Sequence, residues 1–116
     1  MLAFILFHSQ DTRESHWFKD EGIDKLKSIK YDLVGRIETD SLDNVYSLTQ
    51  NWDGSWTNNP EVTYLGRKPD HQRSSVIGDL VAEVEDGFLR ALWVINSVGF
   101  VQVKDPKFRA KLGLQP

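Results

Sequence analysis

Four groups of residues in this chain have types that do chemistry. The first is Arg73-Ser74-Ser75, a guanidinium beside two hydroxyls, with Arg67, Lys68 and His71 just upstream. Together with free loop N–H groups, such donors suit an anion. Asp79 offers the opposite use: it can pair with Arg73 or accept loop amides, which makes the stretch a polar cap on a strand. The Gly-rich spacing and Lys-Ser/Thr pair of a Walker-type phosphate loop are missing.

The second group is Trp52, Trp56, Asn58 and Asn59, set in a run whose Asp53-Gly54 and Asn59-Pro60 pairs are turn signals. Exposed Trp beside amides suits recognition of a protein partner, a base or a sugar. The competing use is to fold back over a helix end and the core. The third group, His8, Asp11, Glu14 and His16, has metal-ligand residue types, but its His spacing fits no standard metal motif. A solvated polar segment is the better reading, and no metal is expected. The fourth is Lys104, Lys107, Arg109 and Lys111 against Asp105. These side chains could touch nucleic-acid phosphate, or form a solvated terminal turn whose charges suit a helix C-terminus.

His71 has no sequence-near partner for base catalysis, and Glu85-Asp86 falls in a turn signal. No nucleophile elbow, local acid–base pair or cofactor fingerprint is present. The expectation is a non-catalytic chain without a cofactor, although an active site assembled from distant residues stays open.

The elements that must position these groups come from one domain's worth of chain. It has 116 residues, 40% of them hydrophobic and 27% charged, with four Trp, six Phe and three Tyr. That balance is globular, with enough apolar side chain for one modest core. There is no Cys, which excludes disulfides, thiolate zinc sites and Cys catalysis and fits a reducing cytoplasm. The apolar run Met1 to Phe7 is too short for a signal-peptide core or a membrane span. The net charge of −3 is uneven: residues 1–66 hold six Lys/Arg and eleven Asp/Glu, and residues 67–116 hold eight and six. The whole is no general polyanion binder, although its second half could favour anions locally.

Leu2 to Phe7 lacks alternation and reads as a strand buried on both faces. A short helix is expected over about 21–29. Tyr31 to Glu38 alternates, with Leu33, Gly35 and Ile37 on one face and Asp32, Val34, Arg36 and Glu38 on the other. Asp40 or Ser41 then caps a helix of about three turns running from about Asp40 to Asn51, whose buried face is Leu42, Val45 and Leu48. A short strand follows over Glu61 to Leu65. Val76 to Val84 reads as a strand, with Gly78 a bulge or close-approach point. Asp86-Gly87 signals a hairpin, Phe88 to Ile95 reads as a central strand, and Val98 to Val103 as a third. Asp105-Pro106 opens a short helix ending near Gly113.

Several of these residues also resemble a known group. Ser55-Trp56-Thr57-Asn58-Asn59-Pro60-Glu61-Val62-Thr63, then Arg73-Ser74-Ser75-Val76-Ile77-Gly78-Asp79, Trp93-Val94 and Val98-Gly99-Phe100 are similar to small uncharacterised proteins of phages, plasmids and bacterial genomes. That group's usual motif is close to Arg-Ser-Thr-Ser-Val-Gly-Asp-Val, after a Trp-Thr-Glu-Asn-Pro-type loop. The resemblance covers roughly residues 31–103, and Ile77 is inserted relative to the motif. It implies a mobile-element association and no particular activity.

The expected fold is therefore α+β, a small, mostly antiparallel sheet with one main amphipathic helix packed on it. The expected function is that of a cytoplasmic binding module recognising a protein partner through the Trp-rich and Arg-Ser-Ser loops. Nucleic-acid or nucleotide binding through the same loops is the alternative. No membrane is implied, and oligomeric state is left open.

Overall fold

A computed structural model describes residues 2–10, 30–51, 54–66, 73–96 and 99–104. They form a six-stranded antiparallel sheet and one α-helix, an α+β arrangement dominated by its sheet. The strands are β1 (Leu2–Ser9), β2 (Tyr31–Ile37), β3 (Val62–Tyr64), β4 (Leu80–Glu85), β5 (Phe88–Ile95) and β6 (Phe100–Val103). The helix α1 is Leu42–Leu48. The spatial order is β3-β2-β1-β4-β5-β6, so β1 and β4 hold the centre. Phe88 to Ile95, expected to be central, is interior but one strand further out. None of the described helices is long and apolar enough to cross a membrane.

β1 is largely buried on both of its faces, which is why it does not alternate. Phe4 and Leu6 point to one side and join Val34, Ile37, Val81 and Ile95 beneath Val45 of α1 and Trp56. Phe7 points to the other and joins Leu80, Ala82, Leu92, Val94 and Val103. A strand that must satisfy two cores has no wet face to mark with polar residues.

Three expectations are corrected by local geometry. In β2 the register slips: Leu6 faces Gly35 but Phe7 faces Leu33, leaving Val34 as an extra residue. This bulge turns Val34 to the helix side with Ile37, while Leu33 is exposed. Helix α1 has about two turns rather than three. Ser41 caps its start, accepting from Asn44 N–H. At its end the Thr49 hydroxyl donates to the Val45 and Tyr46 carbonyls, at 2.8 and 3.2 Å, where continuing backbone N–H groups would otherwise bond. The strand expected from Val76 begins only at Leu80. Residues 76–79 turn instead, with Asp79 N–H donating to the Val76 carbonyl and Gly78 at φ +98°. The Asn-rich loop also holds a single 3-10 turn, Trp56–Asn58, capped by Ser55.

The hairpin between β4 and β5 forms as expected. Asp86 and Gly87 both have positive φ, +53° and +85°, the pairing a two-residue type I′ turn requires. The expected helices over 21–29 and 105–113 lie outside the described residues.

Candidate functional site

The Arg-Ser-Ser stretch and the turn after it build a polar knot around Asp79. The Asp79 carboxylate is fully buried and accepts four hydrogen bonds. Ser9 N–H donates to Oδ1 at 2.8 Å, and Val76 N–H to Oδ2 at 2.9 Å. Arg73 donates both Nη groups, at 2.7 and 2.8 Å, in a bidentate pair. The same guanidinium donates to the Ser74 and Ser9 carbonyls, at 3.0 and 2.9 Å. Four bonds leave little of its five-donor fork for a ligand. Of the two uses the sequence allowed for Arg73, the structure shows the pairing with Asp79.

The two serines are equally engaged. Ser74 Oγ accepts from Asn51 N–H at 2.7 Å. Ser75 Oγ donates to Thr49 Oγ1 at 2.6 Å, in a buried hydroxyl pair. Ser75 N–H donates to the Thr49 carbonyl, and Gln50 Nε2 to the Ser75 carbonyl. The motif therefore ties the end of α1 to the start of β4. Tyr31 extends the knot by donating its hydroxyl to the Gly78 carbonyl at 3.0 Å. Burial, and next the Asp79 charge, raise its pKa well above the ordinary tyrosine value.

Trp56 is a core residue with 1% exposure, so of the two uses open to the Trp loop this ring takes the fold back over the core. Its indole N–H donates to the Arg73 carbonyl at 2.7 Å, so the Trp loop and the Arg loop are one unit. Its ring meets His8 edge-on at 5.7 Å and Tyr64 at 6.3 Å. Gly35 leaves room for it: a Cβ there would stand 3.3 Å from the Trp56 ring. Asn59 donates its amide to the Leu48 carbonyl at 2.6 Å, capping α1, while Asn58 is exposed. Trp52, Arg67, Lys68 and His71 lie outside the described residues, as do Lys107, Arg109 and Lys111. Of the metal-type group only His8 is described. It is buried, with Nε2 3.9 Å from Asp79 Oδ2, beyond hydrogen-bond length.

A groove of about 440 Å³ lies elsewhere, between the outward side of α1 and the β5–β6 end of the sheet. Asp43, Tyr46 and Ser47 form its helical wall, Ile77, Ile95 and Phe100 its apolar lining, and Asn96 and Gly99 its rim. Its size is that of an ordinary ligand or side-chain pocket. Among the described residues, no side chain pairs with the Asp43 carboxylate or with the Tyr46 and Ser47 hydroxyls. Sequence reasoning passed over this site because its walls come from residues 43, 46, 47, 77, 95, 96, 99 and 100. The local signal was Tyr46, a large ring on the polar side of an amphipathic helix.

Comparisons of the chain with protein-family models, with curated proteins and with solved structures give no match.

Proposed function

We propose that this chain is a small non-catalytic module that recognises a protein partner. The observation that carries the reading is the groove beside α1, an apolar lining beside a helical wall whose polar groups, on Asp43, Tyr46 and Ser47, pair with none of the described side chains. Interface cores have that composition, an aromatic and aliphatic centre with hydrogen-bonding groups around it. The recognition surface is thus moved from the Trp and Arg-Ser-Ser loops to α1 and the β5–β6 end. The cysteine-free composition suits a reducing compartment, and the cytoplasm is the location this reading takes. An association with mobile elements rests on the sequence resemblance alone.

Affinity capture from the native host with the wild type and with Tyr46→Lys, side by side, tests the proposal. A protein retained by the wild type and lost with Tyr46→Lys supports it, and identical captures refute the groove as the surface. Nucleic-acid binding is the second class, and the engagement of Arg73 with Asp79 counts against it. Fluorescence anisotropy with labelled single- and double-stranded oligonucleotides separates the two. Micromolar binding at physiological salt would reverse the ranking, since phosphate-driven affinity falls steeply as salt rises.

A further inference from the structure

We infer that the groove beside α1 takes a protein segment presenting an arginine next to an aliphatic or aromatic side chain. This inference rests on the partner-binding reading of the same groove and specifies its occupant. Asp43, Tyr46 and Ser47 stand at positions i, i+3 and i+4 of α1, which makes them neighbours on one helix face. Asp43 is the one charged residue of the groove lining. A guanidinium there can pair with its carboxylate and lie against the Tyr46 ring, whereas the ammonium of lysine lacks the planar fork for both contacts. Ile77, Ile95 and Phe100 then receive the apolar neighbour.

Asp43 is also the one charged side chain of α1, so the helical wall carries no cation of its own. The described arginines are each held by an acid: Arg36 by Glu38, Arg73 by Asp79 and Arg90 by Glu85. None of the described cations lines the groove to neutralise Asp43. A cationic group therefore meets a complementary charge at Asp43, and an acidic one meets repulsion.

Selection of displayed random peptides against the full chain tests this. Wild-type protein should enrich arginine beside apolar residues. Against Asp43→Lys the preference should turn to Asp or Glu. A synthetic wild-type winner should shift the amide resonances of Tyr46, Asn96 and Phe100, and should bind Asp43→Asn about two- to fivefold more weakly. Winners that shift those resonances but show no charge preference, or carry acids, overturn the arginine inference and leave the groove as a binding surface. Failure to enrich any peptide, or winners that leave those resonances unmoved, overturns both.

Discussion

The knot around Asp79 and the groove beside α1 are opposite in what they do with polar side chains. In the knot Arg73, Ser74, Ser75, Thr49 and Asp79 are saturated by one another and by backbone groups. In the groove Asp43, Tyr46 and Ser47 have no partner among the described side chains. The residues with the most suggestive chemistry are therefore the least available for it. A guanidinium beside two hydroxyls looks the same in sequence whether it awaits an anion or encloses a carboxylate. The distinction is made by Asp79, which the turn at 76–79 brings back under Arg73.

The comparison can be broken by substitutions on either side. Trp56→Ala should have the largest effect. It empties the volume of a fully buried ring, at a cost of about 3–5 kcal/mol in a denaturant titration. A loss below about 1 kcal/mol would mean the ring is displayed after all. Asp79→Ala should follow at about 3 kcal/mol, because it leaves the Ser9 and Val76 N–H groups and a partly buried guanidinium without their acceptor. If Asp79→Ala were neutral, the knot would be an incidental contact and Arg73 would be available for a ligand.

Tyr31 sharpens the same point through pH. Its folded pKa is raised above the ordinary value of 10.0, so the folded state holds the proton longer than the unfolded chain. Its contribution is fully present below pH 10 and is lost as pH rises beyond that, with a slope approaching about 1.4 kcal/mol per pH unit. Tyr31→Phe should flatten that alkaline decline in urea titrations at pH 9 to 11. An unchanged slope would place the loss elsewhere. The smallest effect on stability belongs to the groove. Asp43→Asn and Tyr46→Ala should each change it by less than about 0.5 kcal/mol, since neither side chain holds another. A loss above about 2 kcal/mol would mean that the groove wall is structural too.

Much of the fold was legible where one local rule governs. Phe88 to Ile95 and the Asp86-Gly87 turn follow from apolar density and from the need for positive φ. The helix face led by Val45 follows from its spacing. Val76 to Gly78 was misread because Val and Ile look extended wherever they stand, while the turn there depends on a carboxylate accepting Val76 N–H. The bulge at Val34 was invisible because it is set by β1, more than twenty residues away in sequence. For the candidate site, Arg73 and Asp79 were legible as a pair, and Trp56 was legible as either core or contact. The groove was not, since no window of sequence contains both its walls.

The position of β1 has a consequence for how the protein is made. It precedes the other described strands in the chain, yet it lies mid-sheet, with β2 on one edge and β4 on the other. Its pairing of Leu2 with Glu85 closes across most of the described chain. Until β4 leaves the ribosome, β1 has one open edge and apolar residues facing both ways, the condition that favours association between nascent chains. Such long-range pairing also slows folding, since loop closure must precede the contacts that stabilise it. Refolding should accordingly be slower, and more prone to aggregation at high concentration, than is usual for a helical chain of this length.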